Sequence, residues 1–200
     1  MKEFAILLDV DGPLNPYAAK ATLRPEGYET HRAFPATGHP PNGYRLWLNP
    51  SHGPDLMALG GELIWATTWE FEADEWFGCH IGLPKLSVID WIDRDHWNKE
   101  GLYWKTKRVA EWMNENRPGI PFLWLDDEVG ANDRAWIEEN CAPGSGIRII
   151  SPQTGITQDH LEEIREWRDN LTPLQFHTPL DPEIKQALVE KFGNRKDENG

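Results

Sequence analysis

Cysteine is scarce in this chain: Cys79 and Cys141 are the two in 200 residues. Two such residues build no disulfide framework and fit a reducing compartment. Long apolar runs are lacking too, and no segment reaches the length of a membrane span. No basic segment with an apolar core opens the sequence, so the expectation is a soluble, cytoplasmic protein with no membrane partner. Positive charge is also short, with 20 Lys and Arg against 33 Asp and Glu and a net charge of −13. That balance argues against a surface built for phosphate backbones, while leaving room for a local basic groove.

Tryptophan is in excess, at 11 residues. This suggests large plugs between helices and sheet, or a flat aromatic binding surface. The length suits one α/β domain with a substantial core. No repeat and no long linker divides it, so residues 1–193 are read as a single domain with an insertion at about 15–61. The polar residues 194–200 read as a disordered tail.

The chain is organised around residues 4–14, Phe-Ala-Ile-Leu-Leu-Asp-Val-Asp-Gly-Pro-Leu. The apolar run suits a strand buried on both faces, and Gly12 with Pro13 stops it. Asp9 and Asp11 therefore fall at the C-terminal edge, where open α/β sheets place their ligands. Two carboxylates so close repel one another unless a cation lies between them, and a hard divalent ion such as magnesium is the usual solution. A plain strand-ending turn is the bland alternative. A calcium loop is not, because Pro13-Leu14-Asn15-Pro16-Tyr17 supplies the wrong residues downstream.

Between residues 15 and 61, segments 28–34 and 44–48 read as two strands of a hairpin around a Pro- and Gly-rich turn. His31, Arg32, His39, Arg45 and His52 are its candidate substrate contacts, with solvated hairpin residues as the equal alternative. A helix at 55–59 and a buried strand at 62–66 follow, the strand ending in Thr67-Thr68-Trp69. A hydroxyl at a strand end, followed by free N–H groups, can hold phosphate oxygens. Thr67 takes that place, or Thr68 if the strand runs one residue longer.

Residues 70–77 have helical spacing, and 86–89 read as a strand. Cys79 and His80 have no partner at zinc spacing and read as ordinary core or loop residues. The polar, aromatic stretch 90–97 has no assigned element. A helix covers 106–113, with Lys105 on its first turn and Lys107 as competitor. Residues 120–125 then run apolar into Asp126-Asp127-Glu128, repeating the shape of the opening stretch. A helix at 135–140, a strand at 146–150, and a helix at 158–169 capped by Thr157 complete the pattern. Asp181-Pro182 opens a last short helix.

These stretches, in this order, resemble the four motifs of the haloacid dehalogenase (HAD) superfamily of phosphotransferases. The resemblance implies a doubly wound, mainly parallel sheet with a small hairpin flap inserted after the first strand. It implies that Asp9 is the nucleophile, Asp11 the general acid and base, and Thr67 and Lys105 the phosphate-binding residues. The magnesium shell it implies takes in Asp9, Asp11 through its carbonyl, and Asp126, with Asp127 acting directly or through water. Glu128 and Asp133 are candidates for holding that shell in place. The strings Trp-Ala-Thr-x-Trp, Trp-Leu-Asp-Asp-Glu and Gly-Ile-Thr are similar to small bacterial and phage domains, some fused to RNA-repair enzymes. The implied activity is a magnesium-dependent phosphatase for a phosphorylated small molecule or nucleotide. A nucleic-acid end is a further substrate class, less favoured by the acidic balance. The alternative from another class is a binding or regulatory module that keeps the fold and metal site without useful turnover. Neither oligomeric state nor substrate identity follows from the sequence.

Overall fold

The computed structural model describes residues 3–91 and 101–171. Residues 92–97 of the unassigned stretch 90–97, the helix expected at Asp181 and the tail expected at 194–200 lie outside them. The first strand, β1 (Ala5–Leu8), is buried on both faces and sits at the centre of a five-stranded parallel sheet. Its neighbours are β4 (Glu62–Trp65) and β6 (Phe122–Asp126), with β5 (Ser87–Val88) and β7 (Gly146–Ile149) at the edges. Every pairing in this sheet is parallel.

Alternation along the strands sorts the core into two layers. Ile6, Leu8, Leu123 and Leu125 face a cluster completed by Leu56 of α1 (His52–Ala58) and by Leu161 and Ile164 of α5 (Gln158–Asp169). Ala5, Leu7, Phe122 and Trp124 face the other cluster. It is completed by Val109, Trp112 and Met113 of α3 (Thr106–Asn116) and Ile137 of α4 (Ala131–Asn140). Helices thus cover both faces, the doubly wound arrangement expected.

The insertion after β1 forms an antiparallel hairpin of β2 (Glu29–Ala33) and β3 (Tyr44–Leu48), paired Ala33 to Tyr44 and Glu29 to Leu48. Ala33, Leu46 and Leu48 join the first core cluster, so the hairpin is seated on the domain.

Three elements differ from the sequence reading. The helix expected at 55–59 begins at His52. Pro54 falls in its first turn, where a missing N–H costs nothing. The segment expected to be α-helical at 70–77 is instead a π-helical turn, Asp74–Gly78, running into the short α2, Cys79–Ile81. The wide turn seats Phe77 fully in the core while Asp74 Oδ1 accepts from the Trp65 indole at 2.8 Å. Helix α4 starts four residues earlier than expected, because the Asp133 carboxylate accepts from Gly130 N at 2.8 Å and caps it. Helix α5 and its Thr157 cap match the expectation. No helix among the described residues is long and apolar enough to cross a membrane.

His52 is buried edge-on against Tyr28, ring centroids 5.5 Å apart. Burial lowers its pKa from 6.5 to about 4. The folded value lies below the unfolded one, so its contribution is full above the unfolded pKa and is lost as pH falls toward the folded pKa. Denaturant titrations should show the wild type losing about 2 kcal/mol more than His52→Leu on going from about pH 7 to about pH 5.

Candidate active site

In the β1–β6 register Leu8 pairs with Leu125, which brings Asp9 level with Asp126. Asp9 N continues the ladder, donating to Leu125 O at 2.9 Å. By alternation both acids share the face of Leu7 and Trp124, the face on which α3 packs. Lys105 immediately precedes α3. Its ammonium reaches down to Asp9 Oδ2 at 2.7 Å and Asp126 Oδ2 at 2.9 Å. All three side chains are buried, Lys105 at 1% and Asp126 at 0% relative exposure.

Backbone donors take the other oxygens: Val10 N lies 2.8 Å from Asp9 Oδ1, and Glu128 N lies 2.9 Å from Asp126 Oδ1. Burial alone would lower the Lys105 pKa. Asp9 and Asp126 outweigh it and hold the ammonium above its usual value. Burial and then Asp9 push the Asp126 carboxyl up, with Lys105 opposing.

Asp133 holds Lys105 in this position. Its Oδ1 accepts from Tyr103 N at 2.7 Å and Thr106 Oγ1 at 2.5 Å, bracketing the lysine on both sides. The rings of Trp91 and Tyr103 lie 5.8 and 5.6 Å from the ammonium. The Tyr103 hydroxyl donates to Glu128. Lys107 lies two residues on, about 200° around the helix from Lys105, and faces elsewhere.

Asp127 turns out of the strand toward the loop after β1. Tyr17 OH donates to its Oδ2 at 3.0 Å. A Cβ on Gly12, which has φ +94°, would come within 2.5 Å of the Asp127 carboxyl carbon. Only glycine permits both that backbone conformation and that approach. Burial is the main cause raising the Asp127 pKa to about 6. Asp9, Asp126 and Asp127 each offer a carboxylate oxygen, and these oxygens lie within 4.8 Å of one another.

The Asp11 carboxylate stands apart from that cluster. Asn15 Nδ2 donates to its Oδ1 and Trp69 Nε1 to its Oδ2, each at 2.8 Å. Burial raises its pKa, opposed by these two hydrogen bonds.

Asp9, Asp11, Lys105, Asp127 and Glu128 line a cleft of about 750 Å³, with Asp126 buried behind them. Thr68 is exposed and lines it, whereas Thr67 is buried at 1% exposure. The Thr67 carbonyl accepts from Trp91 Nε1 at 2.7 Å. Of the five hairpin-region candidates, Arg45 lines the cleft, its guanidinium 3.8 Å over the Trp47 ring. His31 stacks on His80, Arg32 donates to Gly43 O, His39 packs on Phe34 and His52 is buried.

A family profile describing the HAD domain in Swiss Army Knife RNA repair proteins matches residues 5–161. The chain belongs to this family. Among curated proteins, none matches. In this HAD domain Asn15, Tyr17, Trp69 and Tyr103, which sequence reasoning did not single out, hydrogen-bond to the acidic side chains at the strand ends. Their signal is only that they flank the acidic strand ends. A tryptophan after Thr67-Thr68 reads as core packing until its indole N–H is seen to meet Asp11.

Replacing Lys105 by Met should cost about 3–5 kcal/mol by chemical denaturation in chelator, because two buried carboxylates lose their partner. The loss should shrink on acidification: without the ammonium the folded Asp126 pKa rises further above its unfolded value, so the penalty is absent below the unfolded carboxyl pKa and grows as pH rises through it. Lys107→Met should change stability by less than about 0.5 kcal/mol.

Proposed function

We propose that this HAD domain is a phosphohydrolase that cleaves a phosphomonoester through an aspartyl-phosphate on Asp9, with magnesium as its cofactor. The observation that carries this reading is the Lys105 ammonium held between Asp9 and Asp126 at the floor of an open cleft.

The donor set fits a hard divalent cation. Among the described residues, three carboxylates with oxygens within 4.8 Å of one another meet one ammonium, which pairs with Asp9 and Asp126, so negative charge is left over in this set. Their oxygen chemistry and spacing suit an ion with oxygen ligands at about 2.0–2.6 Å after small side-chain shifts. Asp9, Asp126 and Asp127 would hold the ion, with the Asp11 main-chain carbonyl completing the protein ligands. When bound, the ion offsets charge on the nucleophile and the phosphoryl group.

Asp9 attacks phosphorus in line, and its carboxylate oxygen replaces the leaving-group oxygen. Asp11 gives that leaving oxygen its proton. Lys105 pairs with the phosphoryl oxygens, and the Thr67–Thr68 turn supplies hydroxyl and N–H donors to them. Asp11, now a carboxylate, takes a proton from a water whose oxygen bonds to phosphorus. Asp9 then departs as free carboxylate with inorganic phosphate as product.

A second reading concerns the substrate. The cleft is larger than a phosphate requires, and Tyr44 and Phe71 stand exposed along it at 45% and 68%. Exposed aromatic rings beside Arg45 suit a nucleotide or the phosphorylated end of an RNA, in keeping with the RNA repair context of the family. The net charge of −13 disfavours tracking of a long backbone, so an end is preferred to an internal site.

A panel of sugar phosphates, nucleotides and end-phosphorylated oligonucleotides, assayed for phosphate release, tests both readings. Chelation of magnesium should abolish turnover, and Asp126→Ala should reproduce that loss. Asp9→Asn should form no phosphoenzyme by intact mass after acid quench. Asp11→Asn should slow turnover by about 10²–10⁴-fold. Activity unchanged by chelation would remove the metal from the scheme.

A further inference from the structure

Both oxygens of the Asp11 carboxylate are gripped, and by donors from different segments. Asn15 lies in the loop after β1 and Trp69 in the turn after β4. Each donor is itself held. Asn15 Oδ1 accepts from Trp47 N of β3 at 3.0 Å, so its amide cannot rotate without breaking a bond to the hairpin. The Trp69 indole packs edge-on against Phe77 and Tyr44, with centroids 4.8 and 6.0 Å away. Phe77 is fully buried and is carried by the π-helical turn.

A carboxylate held by one oxygen still swings about its last torsion. Two anchored donors, one on each oxygen, fix its plane. That restraint matters for a group that must pass a proton to one particular atom. Each oxygen keeps a second lone pair, so a place for the transferred proton remains.

We infer that Trp69 and Asn15 are positioning residues for Asp11, and that they tie its carboxyl plane to the hairpin. The inference rests on the reading of Asp11 as general acid and base. Each acts through the Asp11 oxygen it holds, and neither itself gives or takes the transferred proton. In the first step the Asp11 proton passes to the leaving oxygen as the Asp9–phosphorus bond forms and the ester bond breaks. In the second, Asp11 takes a proton from water as the water oxygen bonds to phosphorus and the Asp9–phosphorus bond breaks.

Trp69→Phe keeps the ring in its aromatic packing and removes the N–H donor. Nitrogen–proton spectra of the full chain should show one indole resonance that vanishes in Trp69→Phe and moves upfield in Asp11→Ala. An unmoved resonance overturns the contact, whatever the activity. Phosphoenzyme formation is then measured over phenyl phosphates of graded leaving-group basicity. Trp69→Phe should slow the most basic leaving group about tenfold and p-nitrophenyl phosphate less than about twofold, because only the former needs the proton. Asn15→Ser should show the same steepened dependence. A uniform slowing across the series would mean that Trp69 only packs, and would overturn the inference alone. A wild-type protein that forms no phosphoenzyme with any of these substrates would instead overturn the roles of Asp9 and Asp11, and the inference with them.

Discussion

The rest of the structure depends on one buried ammonium placed between two strand-end carboxylates. Removing Lys105, Asp9 and Asp126 from water is costly, and their mutual attraction offsets that cost only with close, well-aligned contacts. The contacts of 2.7 and 2.9 Å meet this condition. They demand that β1 and β6 be neighbours, in a register that sets the two acids side by side. A slip of one residue would turn one acid to the opposite face of the sheet. They also demand that the start of α3 lie over the same edge, which the bonds of Asp133 to Tyr103 and Thr106 secure. Packing of Val109, Trp112 and Met113 beneath Trp124 and Leu7 keeps the helix on that face.

From this floor the cleft changes character toward its rim. The floor is closed and dense in charge, with every oxygen of Asp9 and Asp126 engaged. The rim is open and aromatic, with Tyr44 contributed by the hairpin and Phe71 by the turn after β4. Such a gradient suits a substrate whose phosphoryl group is always the same and whose remainder varies. Tryptophan serves both ends of it. Trp65 and Trp124 are fully buried plugs within the sheet, while Trp69 and Trp104 line the cleft. The large plugs suggested by the high tryptophan content are therefore present.

The hairpin belongs to the site as much as to the surface. Its apolar residues join the core, and Trp47 N holds Asn15, which in turn holds Asp11. The Tyr44 ring meets Trp69 from the same side. A substrate resting on the hairpin would thus press on elements that orient the acid of the proposed reaction.

The sequence by itself determined where strands end in carboxylates. Apolar runs closing on Asp9 and Asp126, with Gly12-Pro13 and Glu128 beyond, are local patterns, and hydrophobic periodicity with turn chemistry reads them directly. The same holds for α5 and its Thr157 cap. The doubly wound, mainly parallel architecture was what the resemblance to the HAD superfamily implied, and the buried strand-like runs agree with it. The π-helical turn was not legible, because local spacing is the same for a wide helical turn as for an ordinary one until Phe77 and Asp74 find their partners. Tertiary structure alone decided that Lys105 rather than Lys107 meets the acids, that Asp127 joins the cluster while the Asp11 carboxylate leaves it, and that Asn15 and Trp69 hold Asp11. Lys105 and Asp9 are 96 residues apart, Tyr17 and Asp127 110, and Trp69 and Asp11 58. Contacts over such separations leave no periodic trace in the chain; the sheet register and the packing of α3 create them.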